Sequence, residues 1–184
     1  MNTLDRWLQR LRIRQALPWI PAEAHLLDVG CADGALFSVA RRRVRSGVGV
    51  DLVGTEQWPE GPYDRRSGRF PDVVGEETFD AVTMLAVVEH VPDDELKAWA
   101  AALPALLRDQ GRLIITTPSP LVDHLLHVAI RLRILDGMEA EQHHGFDPDD
   151  VPRIFTSMGL RLVHQARFEL GLNHIFVFER VAGG

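Results

Sequence analysis

Apolar positions change their period several times along this chain, and each change marks an element. Leu4, Trp7, Leu8 and Leu11 recur at three- and four-residue steps with arginines between them. Residues 4–17 therefore read as an amphipathic helix with Trp7, Leu8 and Leu11 on its core face, ended by Pro18 and Pro21. His25-Leu26-Leu27-Asp28-Val29 is a short apolar run that stops at Gly30, the pattern of a buried strand. Residues 35–43 return to helical spacing, and residues 44–50 form a second buried strand closed by Asp51. Strand, glycine turn, helix and strand in quick succession make a βαβ unit, whose crossover requires the two strands to run parallel.

Residues 53–75 break this rhythm. Gly54, Pro59, Gly61, Pro62, Gly68 and Pro71 leave no room for a long helix, and a third strand is expected near residues 67–71. Patterning resumes with a buried strand at 79–85. Asp93, behind Pro92, is expected to cap a helix running to about Leu107, with acidic residues in its first turn. Gly111 precedes a strand at 112–117, and residues 120–135 read as a helix ending near Gly137. Asp147 and Pro148 open a short helix that stops around Gly159. Runs at 160–168 and 174–180, joined by the turn Leu170-Gly171-Leu172-Asn173, predict a closing antiparallel hairpin. The alternation as a whole predicts an α/β fold, a three-layer sandwich around a mainly parallel sheet. Ligands in such sheets bind beyond the carboxyl ends of the strands, at the point where the strand order reverses.

Composition adds limits rather than detail. At 184 residues the chain has the size of one domain, read here as residues 1–184. Its parts are an N-terminal helix (1–20), a core (21–118), and the helices and hairpin that follow (119–184). The chain is 46% hydrophobic and 25% charged, as expected of a globular protein. With 20 Lys and Arg against 26 Asp and Glu, its net charge of −6 argues against a general nucleic-acid binder. A single cysteine makes no internal disulfide and fits a reducing compartment. No apolar run reaches the roughly 18 residues of a membrane span, and the first residues lack the apolar core of a signal peptide. A soluble cytoplasmic domain is the expectation.

The chemistry concentrates in Leu27-Asp28-Val29-Gly30-Cys31-Ala32-Asp33-Gly34, with Asp51 following Asp28 by 23 positions. Glycines at 30 and 34 permit close approach of backbone to a ligand, and the two oxygens of Asp51 suit the two hydroxyls of a ribose. The Gly-x-Gly-x-x-Gly spacing of a dinucleotide site is absent, and Asp33 would repel a pyrophosphate. The segment resembles the first motif of the class I S-adenosylmethionine-dependent methyltransferases, usually Asp-x-Gly-x-Gly-x-Gly, with Ala32 in place of the middle glycine. Thr78-Phe-Asp-Ala-Val-Thr-Met-Leu-Ala-Val-Val-Glu-His-Val91 resembles the fourth-strand motif of the small-molecule branch. Leu106-Leu-Arg-Asp-Gln-Gly-Arg-Leu-Ile-Ile-Thr-Thr-Pro118 is similar to the motif leading into the fifth strand.

The resemblance spans about residues 26–118. It implies a Rossmann-like, seven-stranded, mostly parallel sheet with a C-terminal antiparallel hairpin. It also implies S-adenosyl-L-methionine as cofactor and methyl transfer to a small-molecule acceptor. Carried over residue by residue, Asp28 and Gly34 belong to the first motif, and backbone at Gly30, Cys31 and Ala32 lines the methionine end. Asp51 takes the ribose, Leu52 the adenine, and backbone at Leu85 or Ala86 faces the cofactor's amino group. The chain departs from the family after Asp51, where a full helix is usual, and at Arg69-Phe70-Pro71-Asp72, where an acidic residue often reads the adenine.

On the acceptor side, His143 and His144 are the candidate catalytic residues, one of them lining the acceptor pocket as general base. That pocket is expected between the N-terminal helix, the 120–135 helix and the loop Gln142-His-His-Gly-Phe146, with Leu121, Leu125, Ile130 and Phe146 as apolar walls. Glu89 and His90 partly match the metal ligands of the small-RNA 2′-O-methyltransferases. Ala86 stands where the first glutamate is needed, so no metal is expected. The run Arg41-Arg-Arg-Val-Arg45 reads as a solvated helix end. Two alternatives stay open: a non-catalytic cofactor-binding or regulatory domain of the same fold, and an RNA methyltransferase, which the net charge disfavours.

Overall fold

A computed structural model of the chain describes residues 3–119 and 146–181. Helix α1 (Thr3–Ala16) leads through a 3-10 turn into β1 (Ala24–Val29), α2 (Ala35–Ala40) and β2 (Val44–Asp51). Strands β3 (Tyr63–Ser67) and β4 (Phe79–Leu85), helix α3 (Asp93–Leu106) and strand β5 (Leu107–Pro118) follow. After the undescribed segment come a short helix α4 (Val151–Thr156) and the hairpin of β6 (Leu160–Phe168) and β7 (Asn173–Arg180). The seven strands lie in the order β3-β2-β1-β4-β5-β7-β6, with β7 antiparallel to both neighbours and the remaining pairs parallel. The chain builds outward from β1 to β3 and then returns to lay β4 on the other side of β1. The order therefore reverses between β1 and β4, and their carboxyl ends splay apart there.

Alternation along the buried strands loads both faces of the sheet. Leu27, Val29, Val82, Met84, Ile115 and Phe176 point to the layer holding α3 and α4, where Leu96, Trp99, Leu103 and Phe155 meet them. Leu26, Ala81, Ile114, Ile175 and Val177 point the other way, onto Ile13, Ala16, Leu36 and Phe37 of α1 and α2. The expected three-layer sandwich and closing hairpin are both present.

Several boundaries fall elsewhere than expected, each for a local reason. The third strand is Tyr63–Ser67, not 67–71, because Tyr63-Asp-Arg-Arg-Ser67 suits a solvated edge strand while Phe70 turns inward to the core. Asp93 does not cap α3: Pro92 holds the cap position, and Asp93 sits in the first turn, where its charge still favours the helix N-terminus. Strand β5 begins at Leu107, five residues early, with a register irregularity before Arg112 and Gln110 in the left-handed region. Helix α2 stops at Ala40, and residues 41–43 turn so that Arg43 Nε donates to the Ile20 carbonyl at 2.6 Å. Trp7 is more than half exposed, while Ile13 and Ala16 carry the buried face of α1. The final turn falls on residues 169–172, and Asn173 is already paired with Phe168 in the hairpin. The expected 120–135 helix lies outside the described residues.

Candidate functional site

Two cavities open at the switch point, and Gly30 lines both. The larger, about 610 Å³, runs from the ends of β1 and β2 across to α3 and includes Asp51, Leu52, Arg69, Phe70, Ala86, His90 and Trp99. The smaller, about 50 Å³, lies under α1 and is lined by Gln9, Arg12, Asp28, Cys31 and Leu85, among others. They meet at Gly30, the larger roomy and mostly apolar, the smaller narrow and charged.

The turn after β1 is held by backbone rather than by side-chain bulk. Gly30 and Cys31 N–H both donate to the Val50 carbonyl, at 2.8 and 3.2 Å, locking the turn against the end of β2. Gly30 has φ 75°, and a Cβ there would stand 2.4 Å from Val87, so only glycine fits. Asp51 completes the lock: its Oδ2 accepts from Ala32 N–H at 2.9 Å and its Oδ1 from Val53 N–H at 3.0 Å. One carboxylate thus ties the turns after β1 and β2 together while presenting its remaining lone pairs to the larger cavity. Gly34 plays a different part. It lines neither cavity, and a Cβ on it would meet Pro59 at 2.6 Å and Trp58 at 2.9 Å.

Asp28 lies inside the sheet with Thr83 Oγ1 donating to it at 2.7 Å. Burial pushes its carboxyl up to about 7; the Thr83 hydrogen bond offsets part of this, and the charges of Asp51 and Asp33 add to it. Burial likewise drives the Cys31 thiol up to about 12, with Asp28 and Asp51 reinforcing it, so this cysteine is no nucleophile at neutral pH. Its contribution is a small side chain and backbone. Above them α1 brings Arg12 to the smaller cavity and ties down the turn through Gln9 Nε2, which donates to Asp33 Oδ1 at 3.2 Å.

At the end of β4, Ala86 adopts φ 57° and spends its N–H on the Thr116 carbonyl at 2.8 Å. What it can offer a ligand is its carbonyl, the right polarity for an ammonium group. Across the larger cavity Phe70 and Trp99 pack edge to face, ring centroids 5.1 Å apart. Trp99 Nε1 is buried and has no hydrogen-bond partner among the described residues, a donor left for a ligand. The segment after Asp51 forms no helix: Trp58 fills that space, touching Phe37 and donating its indole N–H to the Tyr63 carbonyl at 2.9 Å. Leu52 and Val53, 70% and 73% exposed, form an apolar lip on the cavity.

The structure therefore gathers Asp28, Gly30, Cys31, Ala32, Asp51, Leu52, Leu85 and Ala86 around the two cavities that meet at Gly30. It adds Arg12, Phe70 and Trp99, which periodicity marked only as helix or loop positions. The spacing of Leu96, Trp99, Ala100 and Leu103 identifies a buried helix face but not which of its members reaches the cavity. Glu89 is buried beside His90, which lines the larger cavity. No group of three His, Cys, Asp or Glu among the described residues is placed to hold a metal. His143 and His144 lie outside the described residues, and only Phe146 of the expected acceptor loop is placed, packed on the α3-side core. No helix among the described residues is long and apolar enough to cross a membrane.

Comparison with known proteins bears directly on this geometry. The family model of the methyltransferase domain matches residues 3–165. A ubiquinone biosynthesis O-methyltransferase from Xanthomonas oryzae pv. oryzae is 33% identical over 108 residues, covering 52% of this chain and 44% of that protein. The chain thus matches less than half the length of this curated relative. Magnesium protoporphyrin IX methyltransferase from Synechocystis PCC 6803, solved with bound S-adenosylhomocysteine, shares the fold at a TM-score of 0.70 and 17% identity. That alignment covers 98% of this chain and 89% of that one. The 1,6-didemethyltoxoflavin-N1-methyltransferase of Burkholderia thailandensis, with its substrate and S-adenosylhomocysteine bound, aligns at a TM-score of 0.72 and 19% identity. There the coverage is 97% of this chain and 82% of that one.

Proposed function

This chain belongs to the methyltransferase-domain family, and from that premise we propose that it binds S-adenosyl-L-methionine in the slot at the switch point and methylates a small-molecule acceptor. The observation that carries the reading is Asp51, one carboxylate that fixes the turns after β1 and β2 and still faces the larger cavity. Its outward lone pairs suit a ribose diol, with Leu52, Phe70 and Trp99 around an adenine. The charged slot under α1 suits the methionine end: Arg12 for the carboxylate, the Ala86 or Leu85 carbonyl for the ammonium, and Gly30, Cys31 and Ala32 as backbone walls. Asp28 stiffens that end from within the sheet.

When bound, this cofactor supplies an electrophilic methyl group, so the demand on the protein is positioning more than bond chemistry. The chain holds the slot rigid through backbone hydrogen bonds and narrows it toward the smaller cavity. His143 or His144 would line the acceptor side. An acceptor of small-molecule class agrees with what the relatives' names state of those proteins.

Titration calorimetry with S-adenosyl-L-methionine tests the reading. The wild-type chain should bind, and Asp51→Ala should lose the ribose contacts, each about 1.5–3 kcal/mol for a charged acceptor. Absence of binding by folded wild-type protein would sink the proposal.

A further inference from the structure

Helix α3 turns one row of its residues to the larger cavity. Pro92, at the cap, is followed by Glu95 and Trp99 at steps of three and four, so they share one side of the helix, and all three line the cavity. Leu96, Ala100 and Leu103 belong to the core instead. Trp99 ends the row. It is only 8% exposed, and its Nε1–H has no hydrogen-bond partner among the described residues. Phe70 packs edge to face against the indole and fixes its plane. A phenylalanine at 99 would supply the same ring contact without burying an unpaired donor, so the indole N–H carries a cost that an acceptor on a ligand removes.

The facing loop after β3 has nothing to accept a hydrogen bond from a base. The Arg69 side chain carries donors only and that of Phe70 is apolar. Asp72, the acidic residue of that loop, does not line the cavity. Two carboxylates line it among the described residues, Asp51 and Glu95. Asp51 is tied to the turns after β1 and β2, at the end suited to the ribose. Glu95, half-buried on α3, is the other. One side of one helix therefore presents an acceptor and, a turn later, a donor.

Resting on the cofactor reading, we propose that Glu95 and Trp99 read the adenine of S-adenosyl-L-methionine. A Glu95 oxygen accepts from the 6-amino group, and Trp99 Nε1 donates to a ring nitrogen beside it. Adenine offers that combination, an amino donor next to a ring-nitrogen acceptor. The task that an acidic residue near β3 often performs in the resembling family has passed to α3 in this chain. The pair discriminates as well as binds. A 6-oxo purine presents an acceptor oxygen where adenine has its amino group, and the Glu95 carboxylate would face that oxygen with no hydrogen between them. With the ribose held at Asp51, the base is not free to turn another edge toward α3.

Calorimetry on the full chain tests this by comparing S-adenosylhomocysteine with S-inosylhomocysteine, in which a keto oxygen replaces the 6-amino group. Wild type should bind the adenosyl compound roughly 10–100-fold more tightly, the range of one hydrogen bond to a charged group. Glutamine can turn its oxygen to an amino group or its nitrogen to a keto oxygen, so Glu95→Gln should bind the two compounds within about threefold of each other. Trp99→Phe keeps the ring packing and should weaken S-adenosylhomocysteine binding roughly tenfold. Equal affinity of wild type for the two compounds overturns the inference alone. So does a Glu95→Gln chain that keeps the wild-type preference, an Asp72→Asn chain that loses it, or wild-type affinity in Trp99→Phe. A folded wild-type chain that binds neither compound overturns the cofactor reading and this inference together.

Discussion

The two ends of the sheet treat charge in opposite ways. At the amino end, polar groups are paired off. His25 shares hydrogen bonds with Ser46 Oγ and Glu77 Oε1, both at 2.8 Å, and Arg66 Nη2 donates to Glu77 Oε2 at 2.7 Å. Asp80 accepts from the His25 N–H and from Arg108, each at 2.8 Å. Partial burial alone would raise the carboxyls of Glu77 and Asp80, but their hydrogen bonds and neighbouring cations outweigh it and hold both below their ordinary values. At the carboxyl end the balance reverses. Asp28 and Glu169 are pushed up by burial, and Thr116 and Trp99 bury polar atoms with no partner among the described residues. One end spends its polar residues on stability; the other carries costs that a ligand relieves on binding.

The strongest way to break this contrast is Asp28→Asn. A carboxyl raised from 3.8 to about 7 binds its proton more tightly in the folded chain than in the unfolded one. Its contribution to stability is therefore intact below pH ~4 and is lost as pH rises to about 7. A shift of some three units corresponds to about 4 kcal/mol as an upper bound. Asparagine keeps an acceptor for Thr83 without the charge. Chemical denaturation should show the variant more stable than wild type by up to that amount at pH 8 and nearly equal at pH 4. Equal stability at pH 8 would mean that the carboxyl end bears no such cost.

Glu77→Gln probes the opposite end, with the opposite sign. A depressed carboxyl contributes stability that is present above its ordinary value of 4.5 and disappears as pH falls through the folded value. The glutamate side chain is about one-third exposed, so solvent screening limits the loss at pH 7 to about 1 kcal/mol. Both differences should fade on acidification, but at neutral pH and above Glu77→Gln is less stable than wild type and Asp28→Asn more stable. Two variants with the same sign of pH dependence would erase the contrast.

Much of this was legible in the chain before any geometry. The apolar runs of β1 and β2 stop at Gly30 and Asp51, and a strand that stops in a polar or glycine residue marks the ligand side of a parallel sheet. What was not legible depends on contacts distant in sequence. Nothing local to Asn173 announces that Arg12, 161 positions away, will hold it. The edge strand β3 lacks an apolar run because it faces solvent, so it lies about four residues before its expected position. Trp58 stands in for a helix that patterning correctly found missing, but what filled the space had no signal of its own.

Arg108→Gln makes the smallest change and sets how finely the amino end is tuned. The Arg108–Asp80 ion pair joins two partly exposed side chains, 43% and 29% accessible, and pairs of that kind contribute between 0 and about 1 kcal/mol. Asp80 has a second task, accepting the His25 N–H at the start of β1, and that bond survives the loss of the arginine. The expected cost at pH 7 is therefore no more than about 0.5 kcal/mol, and it should shrink further in high salt as the charge on Asp80 is screened. Removing Asp80 itself, as Asp80→Ala, strands the His25 N–H as well and should cost about 1–2 kcal/mol. Thermal melts of both variants at low and high salt separate the two contributions. Equal losses would show that the exposed pair, not the backbone bond, anchors this end of the sheet. Cofactor affinity should be unchanged in both, because β1 and β4 carry these groups at the end opposite Gly30 and Ala86.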